Sequence, residues 1–144
     1  MEKTQKWFCD VCGRIIDSPE KGYVVWNDAT ETNDFGYKIL HANGFLDEHG
    51  NKYVCDKNHP YRSSMELARL MSYIGVAHLL SMLESGSLHK SIFSEIFRRL
   101  FIPYYEEARL YFDEAKKDDF FKELNEAEMS TPEILEKIIK KYRP

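Results

Sequence analysis

The chain has 144 residues, a formal net charge of −4, 43% hydrophobic residues and 14% aromatics. That length and apolar content suit one domain, or one domain with a small module, and argue against intrinsic disorder. The mild acidity argues against a strongly basic nucleic-acid binder. No apolar run approaches the ~20 residues of a membrane span, and Met1 to Trp7 carries no signal-peptide core, which points to the cytoplasm.

Composition shifts near Pro60. Residues 1–62 hold all three cysteines, most glycines and most turn-forming Asn and Asp, and residues 63–144 read as helix after helix. The expected organisation is a β-rich module over 1–62 and a helical domain over 63–144. Gly22-Tyr-Val-Val-Trp26 is β-branched and aromatic and reads as a strand. Residues 28–34 read as a polar hairpin loop, and Gly36 to His41 as a second strand with Tyr37, Ile39 and His41 on one face. His49-Gly50-Asn51 reads as a turn leading into a short strand, Lys52 to Cys55.

The helical half opens with Ser63 and Glu66, a capping box that starts a helix running to about Glu84. Leu67, Leu70, Met71, Ile74, Ala77, Leu80 and Met82-Leu83 trace its apolar stripe, and Gly75 within it marks a close contact. A second helix covers about Leu88 to Phe101, with Ile92, Phe93, Ile96, Phe97, Leu100 and Phe101 inward. Pro103 sits at the first turn of a third helix that reaches Lys116. Phe120, Phe121 and Leu124 suggest a short fourth element. Thr131-Pro132 starts the last helix as cap and first position, with Ile134, Leu135, Ile138, Ile139 and Tyr142 buried. The fold class is α+β: a zinc knuckle with a two- to three-stranded antiparallel sheet, packed on four or five helices.

The strongest chemical signal is Cys9-Asp-Val-Cys12-Gly13. Two cysteines separated by two residues can bend around one ion, and the glycine lets the backbone turn and aim its amides at sulfur. Zinc takes four tetrahedral thiolate or imidazole ligands. His41 ends a strand and Cys55 is the remaining cysteine, so Cys9, Cys12, His41 and Cys55 are the expected set, with His59 able to replace His41. Four protein ligands make a closed, structural site, whereas a catalytic zinc keeps one position open. A redox C-x-x-C fits poorly because the motif precedes the strand-rich segment rather than opening a helix after a strand. Free buried cysteines without metal are the remaining reading.

Trp7-Phe-Cys-Asp-Val-Cys-Gly13, Gly22 to Trp26, Tyr37 to His41 and Cys55 resemble a group of small bacterial and phage proteins that begin W-x-C-D-V-C-G and continue into helices. The resemblance covers roughly the first 60 residues. It implies a zinc-ribbon-like or treble-clef-like knuckle joined to a helical body, and carries no activity with it. A weaker likeness runs through Leu79 to Leu83, and Ile102 to Arg109 with Asp119 to Phe121 repeats an arrangement of such proteins. The span Gly44 to Tyr53 is longer than in the group.

The other constellations favour structure over chemistry. His41, His49, Asn58 and His59 invite comparison with a nuclease centre, but no His or Asp immediately precedes His41 and Asn58-His59 lies before the helix, so His49 and His59 read as solvated. His78 reads as a hydrogen-bonded histidine at the core edge, and His89 as solvated near a helix start. Arg98-Arg99 with Arg69 and Lys90 reads as a solvated face, with too few cations for reading DNA or RNA. Tyr104-Tyr105, Tyr111-Phe112 and Phe120-Phe121 read as packing before interface. Glu106-Glu107 and Asp118-Asp119 point apart on a helix and make poor acid–base pairs. The expected role is non-catalytic: an interaction or regulatory module with a structural zinc, binding a protein partner or forming a homodimer. The alternatives are a nucleic-acid-binding regulator, or a metal-dependent hydrolase or nuclease using His41 and His59.

Overall fold

The structure, a computed structural model, describes residues 5–26, 36–55, 57 and 63–144. The expected loop over 28–34 and the histidine at 59 lie outside the described residues. The contacts divide the chain into two compact units, 1–96 and 97–144.

The first unit begins with a hairpin. Strands β1 (Trp7–Phe8) and β2 (Ile15–Ile16) pair antiparallel, with Trp7 opposite Ile16. A 3-10 turn, Pro19–Lys21, leads to β3 (Gly22–Trp26). This strand pairs antiparallel with β4 (Lys38–His41) on one side and β5 (Ser63–Glu66) on the other. As the centre strand, β3 is buried at Gly22 and from Val24 to Trp26, which explains its continuous apolar run rather than a strict alternation. In β4, Ile39, Leu40 and His41 are buried.

Two expectations change here. The third strand of the sheet is Ser63–Glu66, not Lys52 to Cys55, where only Lys52 bridges Leu46. The capping box does not form, and the helix does not start at Ser63. The free edge of β3 offers that segment a ladder of backbone hydrogen bonds, which a single hydroxyl cap cannot match. Ser63 to Glu66 then alternate half-buried and exposed, as a strand does.

The helix expected over 63–84 is two helices, α1 (Leu67–Leu70) and α2 (Tyr73–Glu84). Ser72 breaks them with extended backbone, ψ 175°, while its hydroxyl donates to the Arg69 carbonyl. The break turns α2 about its axis relative to a continuous helix. Gly75 and Leu79 are buried, and Ile74 and Leu80, expected inside, face solvent. Gly75 is the close contact expected of it. A Cβ there would lie 1.8 Å from the Leu70 carbonyl oxygen, a backbone atom that cannot swing away. Gly75→Ala should therefore cost about 3 kcal/mol, read as a lower urea midpoint, although alanine is the better helix former. An unchanged midpoint would refute the close approach.

Helix α3 (Lys90–Phe101) spans the boundary between the units, with Ile96 and Leu100 buried. The helix expected over 103–116 is interrupted. Tyr104 adopts φ 70°, in the left-handed region, after which come α4 (Tyr105–Ala108), a 3-10 turn at Arg109–Tyr111, and α5 (Phe112–Lys117). Phe120 and Phe121 lie in turns. The short helix is α6 (Glu126–Met129), capped by the Asn125 side chain, which accepts from the Glu128 amide at 2.8 Å. Helix α7 (Pro132–Tyr142) starts as expected after Thr131, although that hydroxyl donates back to the Glu128 carbonyl instead of capping.

The core of the second unit is Tyr105, Ala108, Leu135, Ile138 and Ile139, with Phe112, Phe120, Phe121 and Tyr142 packed against it. The aromatic pairs are thus packing residues, in edge-to-face contacts such as Phe112–Phe121 at 5.8 Å. Arg99 corrects the expectation of a solvated basic face. It is 4% exposed and grips Glu106 with two hydrogen bonds of 2.8 and 2.7 Å. Arg109 joins the same carboxylate at 3.0 and 3.2 Å. Glu107, also buried, accepts from Arg143. The adjacent glutamates do point apart, each to its own arginines.

Candidate metal centre

The β1–β2 hairpin carries the first two candidate ligands on its turn. The Cys9 amide donates to the Arg14 carbonyl at 3.0 Å, and the Gly13 amide to the Cys9 carbonyl at 3.0 Å. Gly13 closes the turn at φ 75°, where a side chain would be strained. The Val11 and Cys12 amides point at Cys9 Sγ, at 3.4 and 3.5 Å. These are the amide–sulfur contacts expected of a knuckle.

Asp10 ties this turn to β4, a role the sequence reading did not assign. Its amide donates to the Ile39 carbonyl at 2.8 Å, and its carboxylate accepts from the Ile39 amide at 2.7 Å. Asp10 thus occupies the outer edge of β4 as a neighbouring strand would. Two residues on, His41 faces the knuckle. Its Nδ1 lies 3.3 Å from Cys12 Sγ and 3.7 Å from Cys55 Sγ. Its Nε2 lies 3.0 Å from the Ile15 carbonyl oxygen. A carbonyl only accepts, so Nε2 carries the proton and Nδ1 presents its lone pair to the sulfurs. Burial pulls the His41 pKa below its usual value, which keeps the ring neutral.

Cys55 arrives through a second hairpin-like excursion. Leu46 bridges Lys52, and the Tyr53 amide donates to the Phe45 carbonyl at 3.0 Å. Asp47 holds the tip, its carboxylate accepting from the amides of His49 and Asn51 at 2.9 Å each. The turn expected at His49 to Asn51 is there, and the long span from Gly44 to Tyr53 returns to the site. All four expected residues meet. The ligand atoms of Cys9, Cys12, His41 and Cys55 lie within 4.8 Å of one another. A tetrahedral ion with metal–sulfur bonds of about 2.3 Å and metal–nitrogen bonds of about 2.0 Å needs donor–donor edges of roughly 3.5–3.8 Å. The His41–Cys55 edge lies inside that range and the His41–Cys12 edge just short of it, so the donor set fits a metal ion once the donors adjust. Cys9, His41 and Cys55 are buried and Cys12 is half-buried, which is the enclosure of a closed site.

Arg14 is the second residue the sequence reading passed over. Its guanidinium bonds Asp47 at 3.1 Å and lies 4.7 Å from the centre of the Tyr53 ring. Tyr53 in turn stacks flat on His41, with ring centres 3.7 Å apart and planes 4° from parallel. Arginine, tyrosine and histidine thus form a layered stack beside the sulfurs. Burial alone would raise the Cys12 thiol pKa, but the Arg14 amide and guanidinium outweigh it and lower it. For Cys55, burial dominates and neighbouring sulfurs add to it, so its thiol is pushed up to about 12. A divalent cation removes that penalty by binding the thiolate directly.

Three thiolates around a divalent ion leave one net negative charge, and Arg14 stands where it can balance that charge. Arg14→Ala should weaken metal binding roughly 10-fold or more, the size seen when groups supporting metal ligands are removed. Competition with a chromophoric chelator would measure it, and wild-type affinity would sink this assignment. The only sequence cue for Arg14 was its place directly after Cys12-Gly13.

The same stack borders a cleft of about 670 Å³, which Phe8, Ile15, Phe45 and Leu46 also line. Among its charged residues, Arg14 pairs with Asp47 and Lys21 with Asp17. Elsewhere, His49 and His89 are exposed as expected. His78 stands 5.2 Å from the Trp26 ring, and its Nε2 finds no hydrogen-bond partner among the described residues, where a bonded histidine was expected. No helix of the described residues is long and apolar enough to cross a membrane.

Compared with family models, curated proteins and solved structures, the chain matches none. The grouping suggested by Trp7 to Gly13 therefore rests on the motif itself.

Proposed function

We propose that the chain is a zinc-binding protein whose metal is structural, and that it acts in the cytoplasm as a non-catalytic interaction or regulatory module. One observation carries the reading: four soft or borderline donors meet in an enclosed cluster whose imidazole is already oriented by the Ile15 carbonyl. Three thiolates and one neutral imidazole suit zinc, and four protein donors leave no open position for a reacting water. The knuckle then belongs with the zinc-ribbon-like or treble-clef-like proteins of the W-x-C-D-V-C-G group. The nucleic-acid alternative loses a cation, since Arg99 is held inside an ion pair.

The test is metal content by plasma mass spectrometry on untagged protein, beside Cys12→Ser and His41→Ala. One zinc per chain, lost together with folding in both variants, is the expected result. Metal-free wild-type protein would overturn the reading. Zinc retained by a folded His41→Ala variant would transfer the fourth position to His59 and with it reopen the hydrolase alternative.

A further inference from the structure

The four donors of the metal centre are not equally enclosed. Cys9 is 3% exposed, His41 2% and Cys55 6%. Cys12 is half-buried, and its neighbour Val11 is 42% exposed. A small solute therefore meets the Cys12 sulfur before the others. A second sulfur stands in the same turn. Cys9 lies three positions before Cys12, and the Gly13 amide closes the turn on the Cys9 carbonyl at 3.0 Å. A turn of that span keeps its ends within about 7 Å, and a disulfide needs Cα atoms roughly 4.4–6.8 Å apart. The two sulfurs already lie within 4.8 Å of one another. Side-chain rotation therefore brings them to bonding distance with the turn left in place. A bond to the enclosed Cys55 would instead have to tie the turn to the separate excursion that carries that residue.

We propose that Cys12 and Cys9 form an oxidation site for a hydroperoxide, at which closure of a Cys9–Cys12 disulfide releases the metal. The inference rests on the zinc reading and names how that same site is regulated. A cysteine bound to zinc is deprotonated, and the thiolate is the nucleophile. The Cys12 sulfur attacks one peroxide oxygen, the O–O bond breaks, and the other oxygen leaves as hydroxide. Cys12 is then a sulfenic acid. The Cys9 thiolate attacks that sulfur, the S–S bond forms, and the sulfenic oxygen leaves as a second hydroxide. Two thiolates have given two electrons to one peroxide, which ends as two hydroxides that water buffers. The Arg14 guanidinium beside Cys12 stands where it stabilises the departing hydroxide. The disulfide removes two of the four donors. His41 and Cys55 alone cannot complete the tetrahedron that holds zinc, so the ion leaves.

The test treats the full, zinc-loaded chain with hydrogen peroxide. A chromophoric chelator reads released zinc, and alkylation with peptide mass mapping reads the thiols. One zinc per chain should appear in step with the loss of two of the three free thiols. The lost pair should be Cys9 and Cys12, joined within one chain, with Cys55 still open to alkylation after unfolding. Dimedone present during the reaction should trap the sulfenic acid on Cys12. A phosphine reductant with added zinc should restore the loaded form. Zinc retained under peroxide, zinc released with all three thiols intact, dimedone on Cys9 or Cys55 first, or a disulfide to Cys55 would overturn the proposal. A chain that holds no zinc before peroxide is added would overturn the metal reading and the release with it. The same mapping on that chain then reads the oxidation site separately, since Cys9 and Cys12 should still link and Cys55 stay free.

Discussion

Stripped of metal by a strong chelator, the protein is expected to lose amide-exchange protection across β1, β2 and the end of β4, while α7 keeps its own. The N-terminal hairpin has two residues per strand, far below what holds a hairpin in water alone. Its turn meets the Cys55 excursion at the four ligand atoms and through Arg14, which bonds Asp47 and lies over Tyr53. Structural zinc in small modules binds with an apparent ~10–16 kcal/mol, and that energy is folding energy. Helix α7 belongs to a separate compact unit with its own apolar core. Cys55→Ser should reproduce the chelator's pattern without any chelator. Uniform protection in the metal-free protein would show that the hairpins stand without an ion.

Glu106→Gln should be the most damaging single substitution of the second unit, costing about 3–5 kcal/mol. The carboxylate is 4% exposed and receives both Arg99 and Arg109. Removing its charge takes from the buried Arg99 guanidinium the carboxylate that grips it with two hydrogen bonds, and that, rather than the bare pair energy, sets the cost. Replacing Arg99 and Glu106 together by methionine should recover most of the loss, since apolar groups of similar volume leave no buried charge.

The same pair sets an acid dependence. Burial by itself would raise the Glu106 pKa, but the hydrogen bonds and charges of Arg99 and Arg109 outweigh burial and hold it below its usual value. A depressed folded-state pKa gives stability that is fully present above the unfolded value of about 4.3. That stability is lost as pH falls through the lower, folded value. Urea midpoints measured down through pH 4 should fall more steeply for wild type than for Glu106→Gln. Parallel curves would show that Glu106 does not carry the acid limb.

How legible the protein was depends on the range of the forces involved. The β3 strand, the turn at His49 to Asn51 and the start of α7 at Pro132 follow from residue preferences acting over a few positions. The candidate donor cluster was legible because three cysteines, a strand-terminal histidine and the general coordination demand of zinc leave few combinations. The supporting groups were not. Asp10 acts on Ile39, and Arg14 on Asp47 and Tyr53, across chain separations that no local pattern encodes.

The failures share that cause. Ser63 to Glu66 has the composition of a helix start, yet becomes a strand because β3 has an open edge to pair with. Arg99 and Glu106 look like surface residues on one-dimensional grounds, and are buried as a pair across a segment in which Tyr104 takes a left-handed backbone. By itself the sequence determined the α+β class, the helical C-terminal half and the four-residue donor set, because periodicity and ligand chemistry are written in residue type and spacing. Tertiary structure alone decided the phase of α2, the third strand and the buried arginine. Each of those depends on which partner a segment meets, and a backbone edge, a carbonyl or a counter-charge outweighs the few tenths of a kcal/mol by which local preference chooses.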